Sequence, residues 1–280
     1  MTEVQRGSTE MRVPTMNYDF SHWNELPKVS CQCITYGRTH LLDEAVESFL
    51  RQDYVGEKEL VILNDYPALR LECDLPNVLV VNLPRRFKTI GEKRNACVAL
   101  CQGEVIFPWD DDDIHLPHRI SYSLQQMKNR RYFKSTRLWY WKNGELSPEP
   151  KSAVAHAMGC WSTEFFDAVG GYPHLQSGQD AALEECFKGP DRDVQETPDE
   201  WLYYVYRFPG TGSYHLSTAG YGKGFEYVES FVREKGLEGA HEIRPHWSQD
   251  FSQMVADALQ ARKRQLDPTP AANRDGTAEC

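Results

Sequence analysis

Four short apolar runs punctuate the first part of the chain: Lys28–Thr35 (KVSCQCIT), Glu59–Leu63 (ELVIL), Val78–Val81 and Val105–Trp109 (VIFPW). Each is short, carries β-branched or aromatic residues and is bounded by turn or charged residues, so each predicts a buried strand. Between the first two, apolar residues return at helical spacing. Leu41, Leu42, Ala45, Val46, Phe49 and Leu50 predict a buried stripe on a helix over His40–Gln52, with Thr39 as its N-cap. Strand, helix, strand, strand at these intervals demands crossover connections. The pattern therefore predicts an α/β domain with a mostly parallel central sheet flanked by helices.

Later elements are shorter. Leu116–Met127 reads as a second amphipathic helix, and Arg137–Leu146 alternates as a hairpin about Asn143-Gly144. Ser162–Val169 predicts a short helix stopped by Gly170-Gly171. Ser177-Gly178-Gln179-Asp180 opens another over Ala181–Phe187. A strand at Trp201–Phe208 leads into a Gly-, Ser- and Tyr-rich loop, Pro209–Gly224, suited to a lid, and Asp250–Arg264 predicts a closing helix. Residues 1–25 read as a flexible arm and 266–280 as a disordered tail.

The chemistry concentrates where the fourth run ends. Val105–Trp109 empties directly into Asp110, Asp111, Asp112 and Asp113. Like charges that close raise one another's pKa, so an acidic cluster at the end of a core strand calls for a cation. Hard divalent ions, Mn²⁺ or Mg²⁺, choose carboxylate oxygens and share them with substrate phosphates. On extended chain Asp110 and Asp112 would face one site and Asp111 would face away. In parallel sheets ligands sit beyond the carboxyl ends of the strands. Those ends here carry Thr35 to Arg38, Asn64-Asp65 and the four aspartates, all expected to line one crevice. A basic stretch, Arg85 to Asn95 (RRFKTIGEKRN), precedes a helical ACVALCQ, so its cations would lie near a helix N-terminus, a natural phosphate-binding edge.

Bulk properties narrow the partners. With 280 residues, 40% of them hydrophobic, the chain can bury one sizeable core. No apolar run approaches a bilayer span and the amino end lacks an apolar leader, so stable membrane insertion is not expected and the reading is a cytoplasmic protein. A net charge of −10 argues against a broad nucleic-acid-binding face. Eight cysteines without a leader read as reduced thiols. A four-thiolate zinc site from Cys31, Cys33, Cys97 and Cys101 is conceivable, but core packing accounts for them better.

In order along the chain, VSCQCITYGR, ELVILND, GEKRNACVALCQGEVIFPWDDDDIHLPHRI and FFDAVGGY…SGQD resemble the family 2 glycosyltransferases of the GT-A fold, over about Lys28–Phe187. The resemblance implies a single GT-A (Rossmann-like) domain with a C-terminal acceptor-side extension. It implies a nucleotide-sugar-binding half at 26–130 and an acceptor-side half at 131–265. The implied activity is metal-dependent, inverting transfer from a nucleotide diphosphate sugar, by default a UDP-sugar, to an acceptor hydroxyl. The implied donor contacts are Thr35, Tyr36, Arg38, Asp65, Lys93, Arg94, Asp110 and Asp111, with Asp65 on the base, Arg94 near the diphosphate and Asp110 near the ribose. The implied metal ligands are Asp112 and His215, and the implied base is Asp180. Gln179 departs from the acidic pair that usually holds this base. Two other readings are a sugar-phosphate nucleotidyltransferase and a catalytically silent sugar-nucleotide-binding domain. The acceptor and the oligomeric state are not encoded in these motifs.

Overall fold

The computed structural model describes residues 17–128, 130–142, 144–149, 155–187, 192–207, 234 and 237–266. Four predicted strands form the parallel centre of the sheet: β1 (Val29–Thr35), β2 (Lys58–Asn64), β4 (Val78–Asn82) and β5 (Val105–Pro108), with the short β3 (Leu69–Glu72) between the second and third. Their order is β5-β1-β2-β4. Register aligns Thr35 with Asn64 and Asn64 with Asn82, so three carboxyl ends finish level. β5 stops lower, with Pro108 beside Gln32, and Trp109 N donates to the Gln32 carbonyl at 2.8 Å. The next residues therefore rise along the end of β1. That rise carries the aspartates to the crevice.

Helices α1 (Thr39–Leu50), α2 (Ile90–Val98) and α3 (Arg119–Met127) complete the first half, with β6 (Ile114–His115) just after the acidic run. Leu42, Ala45, Val46 and Phe49 are buried as expected, but Leu50 is 39% exposed and Leu41 only half-buried, so the stripe is narrower than read. Nor is Thr39 the cap: Arg38 occupies that position and no side chain caps the helix. α2 begins earlier than ACVALCQ suggested. Thr89 caps it by accepting from Glu92 N at 3.1 Å, while Glu92 reaches back to Lys88 N at 3.2 Å. Lys93 and Arg94 are thus within α2 rather than before it.

β7 (Tyr132–Ser135), β8 (Leu138–Lys142), β9 (Glu145–Glu149), β10 (Gly159–Ser162), α4 (Thr163–Ala168), α5 (Gln179–Cys186), β11 (Arg192–Gln195) and β12 (Tyr204–Arg207) follow, and β13 (Gly239–Glu242) and α6 (Phe251–Leu266) end the described chain. The main sheet runs β11-β7-β10-β5-β1-β2-β4, with β10 antiparallel to both neighbours. A second sheet runs β6-β12-β8-β9, and β13 pairs with β3. The expected strand at Trp201–Phe208 is shorter, because Asp199–Trp201 forms a 3-10 turn. The hairpin exists as β8 and β9, although Asn143 of its turn lies outside the described residues.

One core joins both halves: Leu42, Val46, Phe107, Trp109 and Trp139 pack in the same cluster as Phe251 and Val255. Cys31 and Cys33 belong to it, whereas Cys97 packs with Val61 and Leu63. Burial pushes all three thiols up, so they act as small apolar residues. Among the described residues no helix is long and apolar enough to cross a membrane.

The loop before α5 docks on the start of α2. Gly91 N donates to Leu175 O at 3.1 Å, and a Cβ at Gly91 would sit 1.9 Å from the Pro173 carbonyl oxygen. Only glycine allows that approach. Gly91→Ala should therefore cost about 1–3 kcal/mol, the range for forcing an extra carbon into a packed site. Urea unfolding checks it: an unchanged midpoint would mean the loop is not seated there.

Candidate active site

The four aspartates stand at the carboxyl end of β5, and Asp111, Asp112 and Asp113 are almost fully buried. Each has a partner from a different part of the chain. Arg38, from the turn between β1 and α1, donates through Nε to Asp111 Oδ2 at 3.1 Å and pairs with Asp112 through Nη1. Arg94, on α2, donates to Asp110 Oδ1 at 3.2 Å. Asp113 accepts from Tyr204 OH and, at 2.7 Å, from Arg207 N. Arg207 also donates to the Asp112 carbonyl and pairs with the buried Glu44 of α1. The alternation expected for extended chain does not hold. These residues form a turn, so Asp111 and Asp112 share Arg38 while Asp110 turns to Arg94. Burial pushes Asp111 up to about 6, with Arg38 opposing it.

A second cluster lies over the ends of β1 and β2. The Lys93 ammonium donates to Thr35 O at 2.6 Å and pairs with Asp65, whose other oxygen accepts from Phe87 N at 3.0 Å. Burial pulls the Lys93 pKa down, and the pairing with Asp65 opposes that without overcoming it. Tyr36 stands above this pair, with the Tyr66 ring 4.9 Å from its own and the Arg86 guanidinium 4.2 Å from its centroid. These aromatic and cationic groups frame a slot of the kind that takes a planar, hydrogen-bonding ring.

Asp180 approaches from the other side. Gly178, at φ +73°, ends the preceding loop in the left-handed region and starts α5, so Asp180 falls in the first turn. Its Oδ1 accepts from Ala181 N at 2.8 Å. Burial would raise its pKa, but nearby His156, that amide and Arg94 outweigh burial and hold it below the usual aspartate value. Gln179 is buried beside it. His156 is fixed in turn, by Glu184 at 2.9 Å and Tyr172 OH at 2.8 Å, and Lys134 closes the chain on Glu184 at 2.7 Å.

Arg94 lies within electrostatic reach of both acidic groups. Burial disfavours its charge, yet Asp110, Tyr172 and Asp180 more than offset that and raise its pKa. Only Nη2 is used on Asp110. Its Nε and Nη1 are buried without a hydrogen-bond partner among the described residues, an expensive condition that an anionic ligand would relieve.

No group of three or more His, Cys, Asp and Glu side chains among the described residues is placed to hold a metal ion. Two neighbouring carboxylates, Asp110 and Asp112, are the donors present. That set fits a hard divalent cation which takes its remaining ligands from substrate phosphates, not one caged by protein alone. His215, the other expected ligand, lies outside the described residues, as does the expected lid at 209–224.

Residues 31–167 match the model of Glycosyl transferase family 2. Residues 31–167 form a family 2 glycosyltransferase domain. Over 150 residues the chain is 29% identical to WcaA of Escherichia coli (strain K12), by name a colanic acid biosynthesis glycosyl transferase; the match covers 50% of this chain and 52% of WcaA. The chain thus spans about half the length of that relative. Among solved structures, S. aureus TarS 1-349 in complex with UDP-GlcNAc gives a TM-score of 0.55 at 15% identity, covering 87% of this chain and 74% of that one. Its complex with UDP gives 0.52 at 14% identity, covering 87% and 73%. At these identities the likeness is one of fold, and the glycosyltransferase domain shares its mixed α/β architecture.

Sequence reasoning missed Glu44, Tyr204 and Arg207, which hold the aspartate turn of this glycosyltransferase domain from behind. Glu44 gave a weak signal, an acid beside Ala45 of the buried stripe. Arg207 gave none, because its role depends on β12 reaching the turn from far along the sequence. Burial raises the Glu44 pKa, but Arg207 and Ser248 outweigh it and hold the carboxyl below its usual range. Such a group stabilises the fold above the ordinary glutamate pKa and loses that contribution as pH falls. Glu44→Ala should cost about 3–5 kcal/mol near pH 7, as removal of one partner of a buried pair does. The gap from the parent chain should narrow when urea unfolding is repeated at pH 4. A gap equal at both pH values would refute the pairing.

Proposed function

We propose that this domain moves a sugar from a nucleotide diphosphate sugar, by default a UDP-sugar, to an acceptor hydroxyl by a metal-dependent, inverting displacement. The observation that carries the reading is Arg94, a buried guanidinium with two unspent donors between Asp110 and the ionised Asp180. The family match supports sugar transfer over nucleotidyl transfer.

In this reading the base of the nucleotide lies at Tyr36, Asp65 and Lys93, with Thr35 and Arg38 beside it and Asp110 and Asp111 toward the ribose. Arg94 binds the diphosphate. Asp112, with Asp110 beside it and His215 as a further candidate, would hold the Mn²⁺ or Mg²⁺ ion whose chemistry is to neutralise charge developing on the departing diphosphate. Arg38 must then release Asp112 and can turn its charge to the same phosphates. Asp180 takes the proton from the acceptor hydroxyl as that oxygen attacks the anomeric carbon from the opposite face. One C–O bond forms, the bond to the phosphate oxygen breaks, and the electron pair leaves with the nucleoside diphosphate. Residues 26–130 serve the donor and 131–265 the acceptor. A reducing, cytoplasmic setting belongs to the same reading.

Two outcomes test the base. Asp180→Asn should lower turnover about 10²- to 10⁴-fold while nucleotide binding persists. Because Asp180 is held below the usual aspartate pKa, the acid limb of the rate profile should lie below the ordinary carboxylate range and disappear in the variant. Full turnover by Asp180→Asn, or a limb near neutrality, would remove the assignment. Chelation should abolish turnover, and Mn²⁺ or Mg²⁺ should restore it.

A further inference from the structure

Beside the donor cleft runs a groove of about 750 Å³ that the reading above does not use. Its apolar lining is Leu83, Pro84 and Phe87, and its basic lining is Arg85, Arg86 and Lys88. Three cations in four residues would be unremarkable in a basic protein. This chain carries a net charge of −10, so the patch is a local reversal of sign. Arg85 and Lys88 are exposed and have no carboxylate partner among the described residues. The groove's single acid, Glu92, is committed elsewhere: it accepts from Lys88 N at 3.2 Å and lies 3.6 Å from His174 Nδ1.

Position matters as much as charge. On one side the groove is continuous with the nucleotide slot, since Arg86 covers Tyr36 and Phe87 N bonds Asp65. On the other it is walled by His174, in the loop that Gly91 seats on α2 and that runs on to Asp180. A molecule lying in the groove would therefore border both the donor and the segment carrying the base. Arg85 and Lys88, two exposed cations without a carboxylate partner among the described residues, match a phosphate group, with its charge near −2, better than a single carboxylate. The apolar lining suits the carbon skeleton of a sugar ring, which presents C–H groups between its hydroxyls.

We propose that this groove is an acceptor subsite and that the acceptor is a phosphorylated carbohydrate, whose phosphate is held by Arg85 and Lys88. The assignment of an acceptor role rests on the glycosyltransferase reading above, but binding to the groove can be read separately from it.

Calorimetric titration of glucose 6-phosphate and of glucose into the full chain, first saturated with UDP and Mn²⁺, tests the site. Glucose 6-phosphate should bind and glucose should not. Affinity should fall about tenfold or more in an Arg85→Ala/Lys88→Ala variant, a loss in keeping with two charge-assisted contacts, and should weaken steadily with added salt. Both side chains are exposed, so the variant should keep the parent's thermal unfolding and its affinity for UDP; Arg85→Lys/Lys88→Arg should retain binding of the probe. Equal binding of glucose, no binding of either probe, or an unchanged affinity in the alanine variant would overturn the proposal. So would binding of the probe to the UDP-free chain but not to the UDP-saturated one, which would give the groove to the donor's own phosphates, or binding only to vesicles containing phosphatidic acid, which would make it a lipid contact. Loss of UDP binding with the probe still bound would instead sink the donor reading and leave the anion site standing.

Discussion

Four consecutive carboxylates cannot be packed against the end of a core strand unless charge and hydrogen bonds come to meet them, and the rest of this structure depends on how that is done. Arg38 meets Asp111 and Asp112, Arg94 meets Asp110, and Tyr204 with the Arg207 amide meets Asp113. Each partner arrives on a different element. The turn is thus the point at which the β1–α1 connection, α2 and β12 are fastened together. Removing two buried opposite charges together is tolerable, but stranding one of them is not. That asymmetry keeps the turn in one conformation before any ligand arrives.

The same constraint explains why the carboxyl-terminal part of the chain folds back on α1. Arg207 would be a buried cation without Glu44, and Glu44 is completed by Ser248, whose amide and hydroxyl donate to it at 2.9 and 2.6 Å. Trp247 adds a bond to Ser48, and Asp43 accepts from Arg244 N at 3.0 Å. A series of polar contacts thus runs from the segment just before α6 to the backbone of Asp112. On the opposite flank Lys134, Glu184, His156 and Tyr172 form a comparable series behind Asp180. The two acidic groups are supported independently, and Arg94 is the residue that senses both.

Much of this was legible in the residues. The apolar runs located β1, β2, β4 and β5 within a residue or two, because fully buried parallel strands have little choice but to be continuously hydrophobic. The DDDD run and Asp180 were marked as candidates by residue type and by family likeness, and the structure sets them on either side of Arg94. What escaped was long-range. β3 and β13 pair across more than half of the chain, and neither segment is apolar enough to announce a strand. The partners of the aspartates were invisible for the same reason, since Arg207 and Glu44 are ordinary charged residues until the fold brings them together. The face of Asp111 was misjudged because an extended alternation was applied to residues that turn, and α2 was placed late because its first turn is charged and lacks an apolar stripe.

The central claim is that the aspartate turn exchanges its internal cation for an external one. A crystal structure of the chain with UDP and Mn²⁺ tests it most directly. The account predicts a manganese ion ligated by Asp112 and by diphosphate oxygens, with the Arg38 guanidinium moved off Asp112 and Arg94 donating to the diphosphate. A manganese ion bound elsewhere, with Arg38 still paired to Asp112, would contradict it.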